Sequence, residues 1–144
     1  VIAGPNGAGK STTAPRLLQD ALAVDEFVNA DAIAAGISAF RPESVALAAG
    51  RMMLTRIRLL AKAHRSIAFE TTLASRSFAP WLRGLREDGY RVHVVFLSLP
   101  NAATMSRRKA QAQVSLWLRN LFDMYSGIAD AWQLFDNSVP DHPA

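Results

Sequence analysis

Gly4-Pro5-Asn6-Gly7-Ala8-Gly9-Lys10-Ser11 fits the pattern G-x-x-x-x-G-K-[ST], the P-loop. An apolar stub, Val1-Ile2-Ala3, precedes it, and Thr12-Thr13-Ala14 with Leu17-Leu18 continues as a helix would. A loop between a strand and a helix N-terminus can aim several backbone N–H groups at one phosphate, helped by the helix dipole. Glycine allows the backbone angles and the close approach that a Cβ would block. On this reading Gly4, Pro5, Asn6, Gly7, Ala8, Gly9, Lys10, Ser11 and Thr12 cradle a nucleoside triphosphate. Lys10 reaches the β/γ-phosphates, and the Ser11 hydroxyl ligates Mg²⁺. An accidental glycine-rich turn is the competing reading, and the flanking strand and helix patterns argue against it.

Other residues could act on what such a loop holds. Asp31 follows an apolar run and could accept the proton of an attacking hydroxyl, or could cap the helix starting at Ala32; both roles can coexist. Glu70 ends an apolar run, as the carboxylate that assists Mg²⁺ in P-loop proteins does, or is a surface carboxylate. Thr71 and Thr72 could bond substrate or merely open a loop. Arg76 could bind a substrate phosphate. Arg107-Arg108-Lys109 could stabilise a transferred phosphoryl group from a lid, or form a solvated charge run.

Positioning these residues takes an alternation of strands and helices, the pattern of an α/β parallel sheet. Strands are predicted before the P-loop and over 26–29, 66–70, 91–99 and 132–135. Helices are predicted over 10–22, from Ala30 to near Gly36, from Pro42 to about His64, over 78–88, near 102–112 and over 114–130. Val45, Ala49, Met52, Ile57 and Leu60 give the long helix an apolar face. The expected fold is a three-layer P-loop sandwich with a mostly parallel five-stranded sheet, one domain over 1–139 and a disordered tail at 140–144. In such sheets ligands sit beyond the carboxyl ends of the strands. That rule gathers the P-loop, Asn29 with Asp31, and Glu70 with Thr71 and Thr72 in one cleft.

Composition narrows the options. At 144 residues, half of them hydrophobic, the chain can build one core without staples. It has no cysteine, hence no disulfide, thiolate nucleophile or Cys-based zinc site, which is compatible with a cytoplasmic setting. No apolar run is long enough to span a bilayer. The chain starts inside an expected buried strand, so a few residues are expected ahead of it. Net charge is +4, with 13 Arg among 16 basic residues. Excess arginine suits bidentate phosphate contacts, or reflects genome composition. Arg51, Arg58, Lys62 and Arg65 share a helix face, an anion stripe or a solvated one, and no aromatic residue interleaves them as single-strand binding would want. His64 falls at a predicted helix C-terminus, no histidine–carboxylate cluster has metal-ligand spacing, and Trp81, Trp117 and Trp132 read as packing residues.

Four blocks in order, "VIAGPNGAGKST", "FVNADAIA", "AFETTLASRS" and "LRNLFDMYSGIADAWQLFDNS", resemble the zeta-toxin-like P-loop kinases over nearly the whole chain. The resemblance implies ATP- or GTP-dependent phosphorylation of a hydroxyl, with UDP-N-acetylglucosamine the substrate of the toxin members. It implies that Lys10 and Ser11 handle phosphate and Mg²⁺, that Asp31 is the general base and that Glu70 and Thr72 lie beside metal and substrate. Asn29 and Arg76 join the substrate contacts, Arg108 acts as a lid arginine, and Asp136-Asn137-Ser138 places Asn137 near the nucleotide base. Toxin members are held inactive by a small helical antitoxin, which makes such a partner a candidate. The lid departs from the family: Arg107-Arg108-Lys109-Ala110 runs directly into Gln111-Ala112-Gln113-Val114, so the longer lid, with its Gly-Gly-His turn and second arginine, is shortened or missing near 110–114. Met52-Met53-Leu54 also stands where toxins place a further substrate-contacting acid.

Three function classes follow: a small-molecule kinase, a nucleotide-binding switch or degenerate kinase without transfer, and a nucleic-acid end kinase or binder. The blocks rank them in that order, with nucleic acid and membrane outside the expected partners.

Overall fold

The computed structural model describes residues 1–5, 7–18, 23–24, 26–73, 76–98, 116 and 119–136. Its strands are β1 (Ile2–Ala3), β2 (Glu26–Val28), β3 (Ile67–Thr71), β4 (His93–Ser98) and β5 (Ala131–Asp136). Its helices are α1 (Lys10–Arg16), α2 (Ala30–Ile37), α3 (Ala46–Lys62) and α4 (Phe78–Glu87). The strands form a parallel five-stranded sheet in the order β2-β3-β1-β4-β5, the expected α/β P-loop class. The helix expected near 102–112, the lid and the tail lie outside the described residues. The chain divides into two compact units, Val1–Thr13 with Thr71–Ala144, and Ala14–Glu70.

In the first unit β4 is the central strand, pairing with β1 from Ile2↔Val95 and with β5 from His93↔Ala131 to Ser98↔Asp136. Val94, Val95, Phe96 and Leu97 are buried in succession, as in a parallel strand covered on both faces. α4 buries Ala79, Leu82 and Leu85, one stripe at helical spacing, and Gly89 follows it at φ +92°. β4 begins two residues later than the sequence predicts. The Val92 N–H donates to the Asp130 carboxylate at 2.7 Å, and the Val92 carbonyl accepts from the Asp130 N–H at 2.8 Å. The helix predicted to reach residue 130 ends earlier, in a π-helical turn over Leu121–Tyr125 where the Ser126 N–H donates to the Leu121 carbonyl at 2.7 Å. That early exit releases Asp130 for Val92 and for an ion pair with Arg86 at 3.0 Å. Trp132 packs edge-on against Phe122, with ring centroids 5.5 Å apart.

In the second unit β2 pairs with β3 from Glu26↔Ile67 to Val28↔Phe69. Pro42–Val45 forms a 3₁₀ turn ahead of α3 instead of the helix's own first turn. α3 buries Ala49, Met53, Ile57, Leu60 and Ala61. Met52, expected on that face, is 52% exposed. Each helical residue turns the chain by about 100°, so the four-residue steps 49-53-57 hold one stripe and Met52 falls off it. His64 ends the helix at φ +52°. Glu26 takes two arginines, Arg56 at 3.2 Å and Arg65 at 3.9 Å. Arg51, Arg58, Lys62 and Arg65 are exposed, so the basic stripe faces solvent with one member drawn to Glu26.

Candidate functional site

The P-loop joins β1 to α1 through three glycines at positive φ: Gly4 at +141°, Gly7 at +83° and Gly9 at +75°. Gly4 is required by space as well as by angle. A Cβ there would lie 2.2 Å from the Leu97 carbonyl oxygen, an approach no side chain tolerates. Its N–H donates to the Thr71 carbonyl at 3.2 Å, fastening the start of the loop to the end of β3. Within the loop the Ala8 N–H donates to the Pro5 carbonyl, and the Thr12 N–H to the Gly9 carbonyl, each at 3.2 Å. Pro15 then stands inside α1, where it removes the N–H that the Ser11 carbonyl would accept.

Lys10 is 4% exposed, unusual for an ammonium. Its Nζ donates to the Pro5 carbonyl at 2.7 Å, so the loop folds back on its own lysine. Burying a cation is tolerable only where acceptors meet it, and a phosphate oxygen is a stronger acceptor than a carbonyl. Ser11 and Thr12 are exposed at the start of α1. Asn6 lies outside the described residues.

A second constellation stands at the ends of β2 and β3. Asn29, 9% exposed, caps α2: its Oδ1 accepts from the Asp31 N–H at 2.7 Å and from the Ala32 N–H at 3.3 Å. Its Nδ2 donates to Glu70 Oε2 at 2.6 Å. The capping role open to Asp31 in the sequence therefore belongs to Asn29, because α2 starts at Ala30 and not at Ala32. Asp31 sits in the first helical turn with an exposed side chain, a favourable place for a carboxylate beside the helix dipole. Glu70 is half-buried, its carboxylate oriented by Asn29.

After β3 the chain bends at Leu73. The Leu73 N–H donates to Thr71 Oγ1 at 3.2 Å, and Leu73 is fully buried at φ +55°. Thr72 is half-buried. Arg76 is exposed and its Nε donates to Asn120 Oδ1 at 3.2 Å. Asn120, 1% exposed, also donates through Nδ2 to the Leu73 carbonyl at 2.8 Å. Asn120 carries little signal in the sequence, where it stands beside Arg119 in the run Leu116-Trp117-Leu118-Arg119-Asn120-Leu121-Phe122 as one more polar residue. Arg108 and Asn137 lie outside the described residues.

Among the described residues no group of three or more His, Cys, Asp or Glu side chains could cage a metal ion. A Mg²⁺ ion brought by nucleotide needs no such cage, since it keeps waters and takes phosphate oxygens beside one or two protein oxygens. The Ser11 hydroxyl fits that donor set. No helix among the described residues is long and apolar enough to cross a membrane.

An uncharacterized protein of Haemophilus influenzae is 28% identical over 111 residues, which cover 77% of this chain and 76% of that protein. The family model described as AAA domain, AAA_33, matches residues 1–117. That span takes in the glycine cradle, the Asn29–Glu70 pair and the first four strands of the sheet, and it makes the chain a member of the AAA_33 family, a P-loop NTPase type of nucleotide-binding domain that includes kinases.

Proposed function

We propose that the protein is a phosphotransferase that moves the γ-phosphoryl group of ATP or GTP to a hydroxyl of a small molecule, with a UDP-amino sugar as the first acceptor to test. The observation that carries this reading is the division of labour at α2. Asn29 takes the cap and orients Glu70, and the Asp31 carboxylate accepts no hydrogen bond from a described residue.

The P-loop N–H groups and Lys10 hold the donor phosphates, and Asn137 is the residue proposed to contact the base. Ser11 and Glu70 are the residues that would hold Mg²⁺, which would neutralise charge on the phosphate oxygens. Asp31 takes the proton of the acceptor hydroxyl as its oxygen bonds to the γ-phosphorus. The bond from phosphorus to the β–γ bridging oxygen breaks, and the nucleoside diphosphate leaves. Thr72 and Arg76 hold the acceptor, and Arg108 stabilises charge on the transferred group.

The test is transfer of label from γ-labelled ATP or GTP across a panel of sugar nucleotides and nucleosides. A labelled acceptor, lost in Lys10→Ala, is expected. Tight Mg²⁺–ATP binding with no labelled product in the whole panel contradicts the reading and leaves a nucleotide-binding switch.

A further inference from the structure

We infer that Asn120 is a positioning residue that holds the Arg76 guanidinium ready for an anionic group of the acceptor, a phosphate or carboxylate. The inference rests on the reading of Arg76 as an acceptor contact and adds the device that makes it work.

Asn120 is almost fully buried, yet both ends of its carboxamide bond residues that follow β3. Nδ2 binds the Leu73 carbonyl, and Oδ1 binds Arg76 Nε, three residues further on. The Leu73 backbone is strained. Leucine at φ +55° is disfavoured by contact between Cβ and the backbone. Thr71 Oγ1 holds the N–H of Leu73 and Asn120 holds its carbonyl, so the strained residue is pinned from both sides.

The Gly4 N–H, at the mouth of the P-loop, binds the carbonyl of the same Thr71. One run of contacts thus leads from the first P-loop glycine through Thr71, Leu73 and Asn120 to Arg76, all within one compact unit. Asn120 also directly precedes the π-helical turn Leu121–Tyr125, an irregularity that recurs at functional sites.

A guanidinium carries five N–H donors in one plane. Fixing Nε fixes that plane and leaves the two terminal nitrogens for a bidentate contact with an oxyanion. Among the described residues Arg76 has no carboxylate partner, and Asn120 is its one side-chain hydrogen-bond partner. A neutral amide orients the guanidinium without neutralising it, so its charge stays available to an incoming anion.

Two measurements on the full chain test this. In ¹⁵N-arginine NMR, Arg76 Nε–H, assigned by its loss in Arg76→Lys, is expected to be protected from solvent exchange in the wild type and unprotected in Asn120→Ala. In steady-state transfer from Mg²⁺–ATP to UDP-N-acetylglucosamine, Arg76→Ala and Asn120→Ala are each expected to raise the acceptor KM about tenfold, from restored side-chain freedom and a lost contact. The ATP KM stays unchanged, and the double variant matches Arg76→Ala alone. Multiplying effects in the double variant, or equal Nε–H exchange in wild type and Asn120→Ala, overturns the inference. Should Asn120→Ala fail to fold, rapid Nε–H exchange in the wild type alone overturns it. Absence of any transfer by the wild type strikes the kinase reading instead, and the NMR comparison still decides for or against Asn120.

Discussion

One carboxamide organises the acidic residues: Asn29 caps α2 through Oδ1 and grips Glu70 through Nδ2. Asn29→Ala removes a cap worth about 1 kcal/mol and a side-chain bond of about the same size, so urea unfolding is expected to show a loss of about 2 kcal/mol. Asp31→Asn touches neither contact and is expected to leave stability within about 0.5 kcal/mol of wild type. These two variants separate scaffold from chemistry. Asn and Asp are both good caps and stand two residues apart here, so the sequence alone could not rank them; the helix start at Ala30 does. Lys10 was legible from its motif, and its burial against the Pro5 carbonyl was not, because that depends on how the loop folds over itself.

At the scale of elements, the loop from β1 to α1 depends on a glycine that no other residue replaces. Gly4→Ala meets both a positive φ and the Leu97 carbonyl, and a loss of about 3 kcal/mol or more is expected in thermal or urea unfolding. The join of β4 and β5 depends on Asp130. The Val92 N–H, helped by Arg86 and His93 and opposed by partial desolvation, holds the Asp130 carboxyl below its ordinary value of 3.8. A depressed carboxyl contributes stability above its unfolded value and loses it as pH falls through the folded one. The urea midpoint of the wild type is therefore expected to fall below about pH 4 more steeply than that of Asp130→Asn; parallel pH profiles contradict this. The alternation of apolar runs was enough to place four of the helices and the strands, since period and punctuation are local properties. The inward face of α3 was misread by one residue, Met52 for Met53, because two adjacent methionines look alike to a periodicity count. The end of the last helix was misread because a π turn leaves no distinct mark in sequence.

At the scale of the molecule, the P-loop class and the parallel topology were legible from the P-loop and the alternation. Asn120 was not, because its partners Leu73 and Arg76 are far from it in sequence and one of them is a main-chain carbonyl. A P-loop domain that binds nucleotide only when folded is stabilised by it, by about 2.7 kcal/mol at a hundredfold excess over Kd. Mg²⁺–ATP is therefore expected to raise the Tm of the wild type by several degrees and that of Lys10→Ala much less. The central proposal is that Asp31 is the general base for transfer of a phosphoryl group to an acceptor hydroxyl. Its most direct test is the single-turnover rate of transfer from γ-labelled ATP to UDP-N-acetylglucosamine by wild type and by Asp31→Asn, with ATP affinity measured on the same samples. The account predicts equal ATP affinity and a rate at least about a hundredfold lower in Asp31→Asn. Equal transfer rates in the two proteins would contradict it.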